Sequence, residues 1–259
     1  SQWRERTTKT FEQIDPTEFF GTREESTFSV GMTGTSTIGV RLFDEHDLSV
    51  SNLFLRNTDD EVSIYDYFDE NTGLSTGIGN RIYGIRYEQR ELNVVQFRGS
   101  HVLGFNTRDV LSSLPGDIGG LVSFLPEESK IEWFWSESLA ETKMPNQVTG
   151  AYLTGTNLTT GAVETSAMSR DTSAVDFRFT DLEDDVVSYG WNGSIPFEVN
   201  GSILSVRFGY QHDQKMRAYE QREFGVGSSA LSAVGILGGS ISEVLSDSNI
   251  TNANYGFQF

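Results

Sequence analysis

The chain has 259 residues, 37% hydrophobic and 12% aromatic, with 26 Gly, 5 Pro and no Cys. This is apolar enough for one large β-domain and too apolar for a disordered chain, and the absence of Cys excludes a disulfide framework and a thiolate metal site. A formal net charge of −18 argues against a nucleic-acid partner and against docking on an anionic leaflet through a basic patch, since both would be repelled.

In chain order, the first clear strand has Phe28, Val30, Met32, Ile38, Val40 and Leu42 alternating with Ser29, Gly31, Thr33, Thr35, Thr37 and Arg41. A period of 2 is the signature of a strand with two unlike faces. The strand meets a short polar turn, Asp44 to Asp47, and a second strand follows over 48–57. Residues 58–80 are polar and Asp-rich and read as a long loop. A strand then runs from about Ile82 to Leu103, with Tyr83, Ile85, Tyr87, Val95, Phe97 and Leu103 on one face. Arg86, Glu88, Arg90, Gln96, Arg98 and Ser100 take the other. Residues 106–129, around Pro115-Gly116, break the pattern and read as a short helical or irregular insertion. Ile131, Trp133, Trp135 and Leu139 mark a strand that is expected to end before Pro145, and 143–180 reads as a second long loop carrying a small hairpin. From Ser188 to Val199 alternation returns, with Tyr189, Trp191, Ile195, Phe197 and Val199 sharing a face. Asn200-Gly201 predicts a two-residue hairpin, because both residues accept positive φ. Beyond it, Leu204, Val206, Phe208 and Tyr210 oppose Ser205, Arg207, Gly209, Gln211, Asp213, Lys215 and Arg217. Residues 226–250 are Ser- and Gly-rich, with helical turns expected near Ala230 and Val244.

The expected fold is all-β: an antiparallel up-and-down sheet of about six long strands, with short turns at one end and long loops at the other. That layout is the one used by a transmembrane β-barrel, and 1–259 reads as one partial barrel domain. No run of ~18 apolar residues exists to make a transmembrane helix, but membrane strands need only ~9–11 residues with every second one apolar. Tyr83, Trp133, Trp135, Tyr189, Trp191 and Tyr210 are the expected lipid-interface aromatics, because their rings tolerate hydrocarbon while a polar edge stays wet. His212 falls on the same side. Arg86, Arg90, Arg98, Arg207, Lys215 and Arg217 are the expected lumen-facing cations, in an ion-pair ladder with Glu88, Asp213 and Glu220. A secreted soluble β-sandwich with a solvated outer face, serving as a binding or adhesion protein, is the alternative that the alternation leaves open. No catalytic constellation, cofactor site or metal site stands out, so the chain is not expected to be an enzyme. His46, His101 and His212 have no metal-ligand spacing. The acidic stretches Asp59-Asp60-Glu61 and Asp66 to Glu70 read as solvated loop rather than as a Ca²⁺ site.

The stretches YGIRYEQRELNVVQFRGSHVL, IEWFWSESLAETKMPNQ and RFTDLEDDVVSYGWNGSIPFEVNGSILSVRFGYQHDQKMRAYEQREF resemble consecutive barrel segments of TonB-dependent outer-membrane receptors. The resemblance covers roughly residues 24–224. It implies a barrel of about 22 strands closed around an N-terminal plug, in a bacterial outer membrane. It further implies uptake of a scarce ligand (a siderophore, a cobalamin or an oligosaccharide) driven by an inner-membrane energy-transducing complex. The plug is not visible in these residues, so the chain is expected to be a fragment; a passive porin is the other barrel reading. The insertion 106–129 departs from the family, whose periplasmic turns are short. The closing Tyr255-Gly256-Phe257-Gln258-Phe259 resembles an outer-membrane assembly signal, but 226–250 before it is not strand-like, and the ending is expected to lie inside a longer chain.

Overall fold

Alternation carried over long stretches can be satisfied only by long strands, and a computed structural model of the chain shows them. It describes residues 2–15, 19–69, 75–113, 120, 124–160 and 162–259. Seven strands form one antiparallel path and an eighth pairs on its side. They are β1 (Gln2–Asp15), β2 (Phe19–Leu42), β3 (His46–Asp69), β4 (Ile78–Val102), β5 (Lys130–Thr156), β6 (Val163–Met168), β7 (Val175–Val199) and β8 (Ser202–Val226). The order is β1-β2-β3-β4-β5-β7-β8, with β6 paired only to β5. Consecutive pairing makes an up-and-down sheet, and among the described residues no pairing joins β1 to β8. Helix α1 (Phe105–Ser112) follows β4. After β8 come a 3-10 turn at Leu231–Ala233, α2 (Ile241–Val244), α3 (Asp247–Ile250) and a 3-10 turn at Ala253–Tyr255.

The tight turns form as their residues allow. Asn200 and Gly201 take φ of 52° and 76°, the left-handed pair of a hairpin turn, and Val199 faces Ser202 across it. Phe43 and Asp44 also have positive φ in the turn that sets Leu42 against His46. Helical turns fall near Ala230 and Val244, as their composition suggests.

Four expectations fail on the strands themselves. Among the described residues strands number eight rather than about six, because β1 has no clean alternation to announce it and β6 lies within the stretch that reads as loop. Residues 58–69 are not loop but the second half of β3. Asp59, Glu61 and Asp66 are tolerated in a strand because cross-strand side chains donate to their carboxylates. Ser29 donates to Asp59 at 2.5 Å, Arg86 binds Glu61 at 2.6 Å, and Arg81 grips Asp66 through two bonds of 2.5 and 2.8 Å. Nor does the strand end before Pro145. β5 runs on to Thr156, and the pairing skips at Met144–Gln147 on one side and Tyr87–Gln89 on the other. Proline has no N–H to give the ladder, and a bulge is where a strand can hold one. The remainder of 143–180 is β6 and the start of β7, so the small hairpin is present but the long loop is not. Of the insertion, 105–112 is helix; Pro115-Gly116 and Glu70 lie outside the described residues.

The sheet has little conventional core. Buried apolar residues gather where the segment after β8 folds back over one end: Val148, Tyr152, Met168, Ala174, Val175, Ala233, Leu237 and Val244. Tyr83, Phe177, Ile241, Leu245, Tyr255 and Phe257 pack around them. Gln258 and Gly227 exchange two backbone bonds, which pins the end of the segment beside β8.

Candidate functional surfaces

Side chains two apart along a strand share a face, and the cross-strand register extends each face over the sheet. One row reads Val40, Leu48, Gly99, Trp133, Trp191, Tyr210; the next reads Ile38, Val50, Phe97, Trp135, Tyr189, His212. All six aromatics singled out in the sequence therefore lie on one face, but not together. Trp133, Trp135, Tyr189, Trp191 and Tyr210 form a contiguous belt near the tight-turn end. Tyr83 lies at the far end, edge-on to Tyr152 at 5.1 Å and under the C-terminal segment.

The belt is bound ring to ring. Phe97 meets Trp135 at 5.6 Å, Trp191 meets Phe208 at 5.8 Å, and Tyr189 touches His212 at 5.1 Å. It is also open to the surroundings: Tyr210 is 52% exposed, Phe208 48% and Ile38 75%. Glycine fits beneath the rings. A Cβ on Gly99 would lie 2.3 Å from the Trp133 indole, and one on Gly193 would lie 2.7 Å from the Phe208 ring. An aromatic laid over a cross-strand glycine covers backbone that would otherwise be bare. Farther along the same face, a charged row crosses the sheet: Arg56, Glu91, Glu141, Glu183. Glu137 and Asp185 lie just below that row, beside Leu139 and Val187.

All six cations singled out share the opposite face. Arg86 and Arg90 flank Glu88, with Arg90 at 2.6 Å and Arg86 at 3.8 Å, and Glu88 is buried between them. Arg217 binds Asp184 through two bonds of 2.6 Å, and Lys215 reaches the same carboxylate at 3.4 Å. The expected ladder is thus corrected in its acids. Glu88 pairs as expected, Glu61 and Asp184 join it in taking the cations, Asp213 accepts from Gln211, and Glu220 lies on the aromatic face paired with Arg222. Arg98 and Arg207 border open polar hollows with Ser49, Ser100, Asn192 and Ser194.

The register also brings together two histidines that sequence spacing keeps apart. His46 and His101 are direct cross-strand partners, with their Nδ1 atoms 3.1 Å apart. Trp133 Nε1 donates to His101 Nε2 at 3.0 Å, and His46 Nε2 lies 3.0 Å from Thr107 Oγ1. Thr107 donates in turn to Glu45. Glu45 also accepts from Asn106 N at 2.9 Å, Asn106 Nδ2 at 3.1 Å and Thr107 N at 2.8 Å. It therefore caps α1 from outside the helix, whose own cap residue, Gly104, has no side chain to offer. Gly104 is required for this approach, because a Cβ there would meet Glu45 Oε1 at 2.5 Å. These bonds, the Thr107 hydroxyl's first, hold the Glu45 carboxyl well below its usual range, at about 2. Among the described residues no group of three or more His, Cys, Asp or Glu is arranged to hold a metal ion.

No protein-family model matches the chain, and no curated protein is significantly similar to it. Among solved structures it is similar to the cryo-electron-microscopy structure of the membrane pore complex of pneumolysin, with a TM-score of 0.16 and 10% identity. That match covers 98% of this chain, which spans 36% of the length of the pneumolysin chain.

Proposed function

We propose that this sheet is a segment of an outer-membrane β-barrel, with the aromatic face toward lipid and the cationic face toward the lumen. The observation that carries this reading is the exposed apolar belt. A soluble protein rarely leaves a contiguous apolar patch larger than a few hundred Å² uncovered. Here Ile38, Val50, Phe97, Tyr189, Trp191, Phe208 and Tyr210 are all exposed on one face. The Arg56–Glu183 row, with Glu137 and Asp185 beside it, bounds the aromatic belt on the side away from the tight turns, and charge is costly in hydrocarbon.

Within that class, the reading is a TonB-dependent receptor that takes up a scarce ligand through energy coupling. It rests on the resemblance of residues 83–103, 131–147 and 179–224 to that family's barrel segments. Imported ligand, plug domain and inner-membrane energy-transducing complex are the partners this reading implies, together with membrane lipid. The chain has no cysteine, so single cysteines can report the surroundings of each face. A fluorophore at Ile38 or Val50 should be quenched by brominated lipid, and one at Thr37 or Ser51 should be quenched by aqueous iodide. Iodide access at both pairs would overturn the membrane reading. For the receptor reading, ligand uptake should stop when the inner-membrane energy transducer is deleted; unchanged uptake would leave a passive porin.

A further inference from the structure

The chain of hydrogen bonds from Trp133 to Glu45 has a direction. An indole N–H only donates and a carboxylate only accepts, so the two ends fix every proton between them. His101 Nε2 accepts from Trp133 and carries no proton. Its Nδ1 therefore carries one and donates to His46 Nδ1. His46 then bears its proton on Nε2 and donates to Thr107 Oγ1, whose own hydrogen goes to Glu45. The full set of bonds forms only when both imidazoles are neutral.

We propose that this chain is an acid-sensitive latch that holds α1 against the tight-turn end of the sheet. A proton taken from water by His101 lands on Nε2 and points at the Trp133 N–H. One taken by His46 lands on Nδ1 and points at the His101 N–H. Either replaces a hydrogen bond with two opposed donors. The latched state binds fewer protons than the open one, so latching weakens as pH falls. The groups around the pair leave this sign intact. Glu45 is saturated by four donors on the α1 side. Asp44 lies in the adjoining turn and Asp109 is exposed on α1. Arg108 of α1 donates to the Leu125 carbonyl at 2.5 Å. On the flanking strands, Asp47 is paired with Arg41 and Lys130 with Glu132, and all four lie on the sheet's other face. Leu42 and Ile131, the remaining cross-strand neighbours, are apolar.

Beside the latch lies an apolar hollow of about 360 Å³, with Thr107 and Leu111 of α1 on one side and Trp191, Ile195 and Phe208 on the other. Release of α1 would open that wall. Nitrogen-15 NMR of the full chain in detergent micelles at pH 7.5 should show His101 protonated on Nδ1 and His46 on Nε2. Hydrogen exchange at the Asn106 and Thr107 amides, corrected for intrinsic rates, should quicken at least ~10-fold between pH 7.5 and 5.5. The step should vanish in H46Q/H101Q. The opposite tautomers, no step in the unaltered chain, or a step that persists in the double variant would each overturn the latch. The tautomer measurement needs no variant and decides even if the double variant does not fold.

Discussion

Leu237 is a larger side chain than Val244 or Ala233, the other buried apolar residues of the C-terminal segment, and its truncation tests how that segment is held. It is 2% exposed, within the cluster of Val148, Tyr152, Met168 and Val175, and its carbonyl accepts from Met168 N at 2.7 Å. Leu237→Ala removes about three methylene equivalents at ~0.8 kcal/mol each, and an unrelaxed cavity adds to that. Together they cost about 3 kcal/mol, or on the order of a 100-fold shift toward the undocked segment. The assay is native-state hydrogen exchange. The amides of Met168 and Gln258 should exchange about 100-fold faster, while that of Trp135, in the aromatic belt, should not change. Leu231→Ala is the matched control, since Leu231 is 76% exposed and its truncation should move nothing. Equal acceleration at Trp135 would refute the reasoning, because it would make segment and sheet a single cooperative unit.

Gly99→Val should dislodge the Trp133 indole and break its bond to His101, seen as a shift in tryptophan emission with lowered thermal stability; an unshifted spectrum would count against the covering role of that ring. Gly201→Val places a β-branched residue at φ 76° and should destabilise the β7–β8 hairpin by about 1–2 kcal/mol, measured by urea titration. Glu45 has its carboxyl depressed from 4.5 to about 2, so its contribution to holding α1 is complete above pH 4.5 and fades as pH falls toward 2. In H46Q/H101Q, α1 should therefore detach only within that lower window, and detachment near pH 6 would place the controlling group elsewhere. Gly104→Ala should mimic Glu45→Ala in freeing α1 at every pH, because both prevent the carboxylate from reaching the helix.

How much the residues alone could say differs between the strands and the contacts among them. Strict alternation in Phe28–Leu42 and Ser188–Tyr210 was enough to assign both faces, because a period of 2 is a local property of extended backbone. Asn200-Gly201 announced its turn for the same reason, since a positive φ is the residue's own preference. The acids of β3 could not be placed this way. Asp59, Glu61 and Asp66 look like loop until Ser29, Arg86 and Arg81 stand across from them, and those partners come from other strands. Pro145 likewise read as a terminator, because the bulge that holds it exists only in pairing. The histidine chain was the least legible feature. His46, His101, Thr107 and Trp133 are scattered along the chain, and only the β3–β4–β5 register and the return of α1 bring them within hydrogen-bonding distance. Local chemistry therefore determined which way side chains point in the strictly alternating strands. Which side chains meet was decided by the register, a non-local property that only the assembled sheet has.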